Sequence, residues 1–311
     1  MSKGASVAAQ ILNNLGRVIL GKREELELVV IGLLACGHVL MEDVPGVGKT
    51  TLARALARSL SLEFKRLQFT PDLMPADITG SSVLLPHEGR FVFQPGPVFT
   101  QVLLADEINR ASPRTQSALL EAMSERQVTI DGLTRALPRP FFTIATQNPI
   151  EAQGTYPLPE AQLDRFLLRL RLGYPAADHE VLMLYGQISS HPLDALEPVA
   201  DEVAIRDTQA EVRDIRVEKS IGRYIVDLCQ ETRRHPEVLL GASPRGTLSL
   251  FHAAQARALL FGRDYVVPDD VQRLAEPVLA HRVELRPAAR YAGKTPSGIV
   301  TEIVRSLPVP T

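Results

Sequence analysis

Apolar and polar positions divide the chain into a mixed front and a helical rear. Leu26, Val29, Val30, Leu33 and Leu34 lie on one stripe of a 3.6-residue period, which predicts a helix packed by one face. Gly37 is its expected left-handed terminator, and apolar positions between residues 5 and 20 predict a shorter helix before it. Short, largely apolar runs at 39–41, 102–105 and 141–146 read as strands buried on both faces, as in a parallel sheet. Residues 62–69 alternate and read as a further strand. Helix-prone runs follow at 52–57 and 112–126. Residues 70–100 are rich in Pro and Gly, and Arg90-Phe91-Val92-Phe93-Gln94 alternates like one arm of a hairpin. Val128-Thr129-Ile130 before Asp131-Gly132 predicts a second hairpin. Tyr174-Pro175 closes the sheet-forming part. Helical patterns then occupy about 178–187, 217–234, 244–261 and 268–280, with Pro244 and Pro268 suited to first turns. Residues 189–204, which contain His191-Pro192 and Glu197-Pro198, read as a linker. Beyond about residue 284 the pattern assigns no element.

The chemistry enters where the first apolar run ends. Asp43-Val44-Pro45-Gly46-Val47-Gly48-Lys49-Thr50 joins a strand to a helix, the context that a phosphate-binding loop requires. Glycines let the backbone turn its N–H groups inward, and the helix N-terminus favours anions. The loop from Pro45, Gly46, Val47 and Gly48 to Lys49, Thr50 and Thr51 would cradle phosphates. Lys49 would reach the β- and γ-phosphates, and the Thr50 hydroxyl would ligate Mg²⁺. The generic pattern begins with Gly, where this chain has Asp43. The second run ends in Asp106-Glu107. Ligands of open α/β sheets bind at carboxyl strand ends, so Asp106 would hold Mg²⁺ and Glu107 would orient the attacking water. The third run ends in Gln147-Asn148-Pro149. Asn148 either bonds the γ-phosphate or its water, or simply opens a turn before Pro149.

Composition narrows the alternatives. The 311 residues carry a formal net charge of −2, with basic residues dispersed and aromatics at 5%. Neither a basic stripe nor a stacking platform for nucleic acid is apparent. No apolar run approaches the ~18 residues that would span a bilayer, and no secretion signal is seen, so the expectation is a cytoplasmic protein without membrane insertion. Cys36 and Cys229 are the only cysteines, which excludes a disulfide framework or zinc cluster. Both lie in helical patterns and read as small core residues.

These segments together resemble the AAA+ ATPases, and most closely their MoxR branch. Glu42 to Thr50, Ala105-Asp106-Glu107-Ile108-Asn109-Arg110-Ala111 and Ala145-Thr146-Gln147-Asn148-Pro149 carry the resemblance. Leu158-Pro159-Glu160-Ala161-Gln162-Leu163-Asp164-Arg165-Phe166 and Ser243-Pro244-Arg245-Gly246 extend it. It implies an α/β fold: a P-loop AAA+ nucleotide-binding domain with a parallel sheet over residues 1–175, then an all-helical lid domain and tail over 176–311. The inserts would be a helix-2 hairpin at about 70–100 and a pre-sensor-1 hairpin at about 126–140. It further implies ATP and Mg²⁺ as cofactors, Asn148 as sensor 1, Arg165 as an arginine finger serving the neighbouring subunit, and Arg245 as sensor 2 coupling the lid to the nucleotide. Residues 18–21 would lie near the adenine base, or merely pack the helix entry. Phe91 and Phe93 could touch a client at a ring's pore, or at least one could only pack the insert. The implied protein is a homo-oligomer, expected as a hexameric ring. It would hydrolyse ATP to remodel or activate protein partners, among them von Willebrand factor A domain proteins. The rival expectations are a nucleotide-gated assembly scaffold with little turnover, or a DNA- or chelatase-associated motor.

Overall fold

The computed structural model describes residues 2–87, 89–149, 154–186 and 192–310. Two helices lead, α1 (Lys3–Gly16) and α2 (Arg23–Leu34), followed by β1 (Val39–Glu42), α3 (Lys49–Ser59) and β2 (Phe64–Gln68). A short α4 (Pro75–Thr79) opens the first insert, whose hairpin is β3 (Gly80–Leu85) and β4 (Arg90–Pro95). Then come β5 (Val102–Asp106), α5 (Pro113–Glu125), the hairpin β6 (Gln127–Ile130) and β7 (Leu133–Ala136), and β8 (Phe142–Gln147). A single turn, α6 (Glu160–Leu163), precedes β9 (Leu168–Leu170). The rear holds α7 (Ala177–Gly186), α8 (Glu202–Asp214), α9 (Lys219–Arg234), β10 (Val238–Leu240), α10 (Pro244–Leu260) and α11 (Pro268–Leu279). It ends with β11 (Glu284–Leu285), α12 (Pro287–Tyr291) and α13 (Pro296–Ser306).

Five strands form one sheet in the order β2-β5-β8-β1-β9, and every pairing is parallel. All carboxyl ends therefore share one edge. Neighbouring side chains on each strand enter different cores. Val39, Met41, Val102, Leu104 and Ile144 join the core under α1, α2, α3 and the rear helices. Leu40, Leu103 and Ala145 join the core under α5. Burying both faces explains why these runs are largely apolar. The first core continues without interruption from Ile11 and Leu34 to Leu250, Val278 and Val300, so the rear helices are bonded to the front by apolar packing.

Local chemistry sets the ends of the elements. Ser112 caps α5 by accepting from the Thr115 amide (3.3 Å), ahead of Pro113. Ser243 caps α10 ahead of Pro244, and Pro268 opens α11 as expected. Asp131 and Gly132 both take positive φ, 53° and 74°, which makes the predicted tight turn between β6 and β7.

Several expectations need correction. The left-handed residue after α2 is Cys36 (φ 54°), not Gly37. Gly37 answers a different need: a Cβ there would stand 2.4 Å from the Leu167 side chain. Cys36 is accordingly a half-buried turn residue, while Cys229 is buried in α9. The proposed linker at 189–204 ends in the first turn of α8, which Asp201 caps. Its beginning, residues 189–191, and the Gln187 end of the predicted helix lie outside the described residues. The C-terminal region is helical, with one short antiparallel pair, β10 with β11. Its last helices, α12 and α13, occupy the stretch that periodicity left unassigned. No helix among the described residues is long and apolar enough to cross a membrane.

His38 precedes β1 and is fully enclosed. Its Nε2–H donates to the Met123 carbonyl (3.1 Å), and Nδ1 accepts from the Thr143 amide (3.0 Å). Burial pushes its pKa from 6.5 down to about 4, helped by the nearby Arg126 and partly opposed by the Met123 bond. The imidazole is thus neutral when folded, and protonating Nδ1 would break the Thr143 bond. The unfolded chain gains a proton below pH 6.5 that the folded chain resists until about pH 4. The His38 contribution is therefore intact above pH 6.5 and decays as pH falls toward 4, by about 3 kcal/mol in full. Urea unfolding at several pH values should show this loss, and a His38→Gln chain should show a shallower decline. An identical decline in both chains would remove His38 as its source.

Candidate functional site

The phosphate loop leaves β1 after Glu42. Gly46 and Gly48 hold φ of 88° and 95°, and a Cβ at Gly46 would meet nothing within 4 Å. Conformation, not space, demands glycine at Gly46. Among the described residues the amides of Gly46, Val47 and Gly48 make no backbone hydrogen bond, so they can meet an anion ahead of α3. Lys49 Nζ donates to the Asp43 and Val44 carbonyls (2.9 and 3.1 Å). Burial lowers its pKa, while the charges of Asp43, Asp106 and Glu107 work against the fall. The lysine is therefore within electrostatic reach of both carboxylates at the end of β5. Ile19 lies beside Gly48, which brings the 18–21 segment to the loop.

Asp43, where the generic loop has Gly, does structural work. Its buried carboxylate accepts from the amides of Leu172 and Gly173 (2.5 and 3.0 Å). Beside it Glu42 pairs with Arg169 (3.2 Å) and Arg171 (3.3 Å) and accepts from Gln147 (2.6 Å). The start of the phosphate loop is thus fastened to the strands on either side of β1.

Asp106 ends β5. One oxygen accepts from the Thr146 hydroxyl (2.6 Å), and the other accepts from Arg66 Nε and Nη2 (3.1 and 2.7 Å). Glu107 follows in the left-handed region (φ 57°), a strained conformation for a non-glycine residue that clusters at functional sites. Its amide donates to the same Thr146 hydroxyl (2.9 Å). Its carboxylate accepts from Gln68 Nε2 (2.7 Å) and pairs with Arg110 (3.0 Å). Arg66 also donates to Gln68 (2.8 Å), so one chain of bonds joins both carboxylates to β2. Asn148 is buried directly after β8, at the same edge. The Thr50 hydroxyl, in the first turn of α3, has no hydrogen-bond partner among the described residues.

Sequence reasoning missed Arg66, Gln68 and Thr146. Each lies on a strand that it did identify, but only the register Gln68 opposite Asp106 brings β2 to the site.

Arg165 and Arg245 lie elsewhere. The Leu167 amide donates to the His38 carbonyl (2.8 Å), so Arg165 stands where β1 begins, opposite the phosphate loop. The four residues of β1 and their flanks separate them by about 15 Å at ~3.3 Å per residue. Arg165 Nη1 donates to the Leu120 carbonyl (2.7 Å) and the Ser124 hydroxyl (3.2 Å) on α5. Ser243, the cap of α10, donates to Asp164 (3.0 Å), which brings exposed Arg245 to the Arg165 segment. Arg282 locks this junction. Buried, it pairs with Asp164 (2.8 Å) and donates to the carbonyls of Phe166 (2.5 Å) and Leu167 (3.1 Å). The hairpins split the two phenylalanines. Phe91 is 71% exposed, whereas Phe93 packs edge-on against Phe99 and under the Arg135 guanidinium.

Comparison with known proteins places the chain in a family. A model of the ATPase family associated with various cellular activities (AAA) matches residues 38–168, and an AAA lid domain model matches 230–303. The chain is 54% identical to YeaC of Bacillus subtilis, over 96% of this chain and 93% of that protein. It is 40% identical to the chaperone MoxR1 of Mycobacterium tuberculosis, over 94% of this chain and 80% of that one. A crystal structure from Cytophaga hutchinsonii superposes with a TM-score of 0.91 at 34% identity, covering 99% of this chain and 97% of that one.

The junction of Arg282 with Asp164 should be costly to break. Asp164→Ala leaves a buried guanidinium without its counter-charge and should destabilise the fold by about 3–5 kcal/mol, read by urea unfolding. A loss below about 1 kcal/mol would mean that solvent already screens the pair, as at an exposed site.

Proposed function

The chain belongs to the MoxR family of AAA+ ATPases, and on that premise we propose that it hydrolyses ATP with Mg²⁺ to remodel or activate protein partners, among them proteins with von Willebrand factor A domains. In this reading residues 1–175 form the nucleotide domain and 176–311 the lid and tail, and the protein acts in the cytoplasm as a homo-oligomeric, hexameric ring. The main support is the meeting of Lys49, Thr50, Asp106, Glu107 and Asn148 at one sheet edge. Chaperone MoxR1 supports a chaperone-like role by its name.

The residues present fit MgATP. The free loop amides suit phosphate, and the Thr50 hydroxyl and Asp106 carboxylate are hard oxygen donors suited to Mg²⁺. Bound there, Mg²⁺ would offset the phosphate charge. Lys49 would exchange its two loop carbonyls for the β- and γ-phosphates. Asp106 would release Arg66, and Glu107 would release Gln68 and Arg110 to take a proton from the attacking water. Asn148 would bond the γ-phosphate or that water. Arg165, at the opposite edge of its own sheet, would serve the nucleotide of the adjoining subunit, where developing charge needs a cation, and Arg245 would couple the lid to the nucleotide.

Glu107→Gln should keep nucleotide affinity while turnover falls by roughly 10²-fold or more, the usual loss with a general base. Steady-state phosphate release beside nucleotide titration measures both, and near-normal turnover would refute the role of Glu107.

Arg165→Ala should abolish turnover yet leave nucleotide affinity near normal, since fingers supplied in trans contribute about 10³–10⁵ in rate. Mixing inactive Arg165→Ala and Lys49→Ala chains should restore turnover at interfaces that draw each intact group from a different subunit. Co-assembly without recovery would show that Arg165 does not act across subunits.

A further inference from the structure

At the amino ends of the strands, opposite the phosphate loop, a cleft of about 150 Å³ opens between the sheet and α8. Arg126 and Arg139 line it from the sheet side, and Arg206 and Arg213 from α8. Its walls include Cys36 and Phe141 but no carboxylate. The chain as a whole carries a net charge of −2, so this cluster runs against the overall balance. Arg126 Nη2 donates to the Cys36 carbonyl (3.0 Å), and among the described residues its guanidinium has no carboxylate partner. Arg206 meets Glu202 at 3.5 Å, a long pair in which both groups are about half exposed. The guanidinium groups of Arg139 and Arg213 have no hydrogen bond or ion pair among the described residues. Like charges gathered in one concavity repel, and its walls focus their field outward.

We propose that this cleft is a second anion site, taking a polyphosphate group, either free or as the tail of a nucleotide. Guanidinium forks match phosphate oxygens two at a time. Cations on both sides of the cleft call for an anion with several charges along its length, and a single carboxylate would leave most of them unmatched. An anion seated there would join α8 to the segments that precede β1 and β8, so binding should raise thermal stability. The strand length keeps it about 20 Å from Lys49.

The test uses the full chain carrying Lys49→Ala, which weakens the phosphate loop, with and without Arg139→Ala and Arg213→Ala. Both arginines are exposed, so their removal should leave the fold intact, and circular dichroism checks this. Inorganic tripolyphosphate is titrated calorimetrically at constant ionic strength, and melting is followed in parallel. The chain with both arginines should bind saturably and melt higher. The doubly substituted chain should bind at least about 100-fold more weakly, a tenfold loss for each guanidinium removed, with no melting shift. Arg139→Lys with Arg213→Lys should fall between them, because charge remains while the fork is lost. ATP in place of tripolyphosphate separates the sources: equal affinity means that the phosphates alone are read, and tighter arginine-dependent binding means that a nucleotide is the ligand. Equal binding by the chains with and without the two arginines, or no saturable binding of either probe, would overturn the proposal.

Discussion

The placement of functional groups in this chain follows from one constraint, the parallel pairing of β1 with β8 on one side and β9 on the other. Parallel strands put all carboxyl ends at one edge. The phosphate loop, the Asp106-Glu107 pair and Asn148 share that edge because each directly follows a strand of this sheet. The same pairing puts His38, Leu167 and hence Arg165 at the opposite edge. Antiparallel pairing of β9 would have carried Arg165 to the Lys49 side.

The polar groups at the two edges are held differently. At the phosphate edge most partners can be exchanged. Lys49 rests on two loop carbonyls, and a half-exposed Arg66 pairs with Asp106. Glu107 is held by Gln68 and Arg110. Such bonds are worth little individually in water, so a nucleotide and its cation could replace them at small cost. At the other edge Arg282 is buried among carbonyls and Asp164. Loss of one partner there exposes the full cost of a buried charge. One edge can therefore rearrange while the other holds the rear helices to the sheet.

The first turn of the phosphate loop shows how a departure from a general pattern can be tolerated. Asp43 has a side chain where glycine is usual, and its carboxylate is satisfied by two amides just past β9. The substitution adds an anchor between the loop and the strand that leads toward α7.

Much was legible in the sequence because the signals are local. Apolar runs marked buried strands, Asp131-Gly132 marked a tight turn, and Pro244 and Pro268 marked helix first turns. The spacing of Gly46, Gly48, Lys49 and Thr50 announced phosphate chemistry before any coordinates. Other features had weak local signals. In α8 only a narrow stripe of Ile205, Thr208 and Val212 is buried beneath a charged surface, so its period was faint. The roles of Arg66, Gln68 and Thr146 depend on strand register. The pairing of Arg282 with Asp164 joins residues 118 apart, and the arginine cleft gathers side chains from three separate segments. The sequence by itself determined which elements form and which loop can hold phosphate, because backbone preferences and burial period act between near neighbours. Only the tertiary structure decided which groups meet and at which edge of the sheet, because parallel pairing and long-range ion pairs join residues that no local pattern relates.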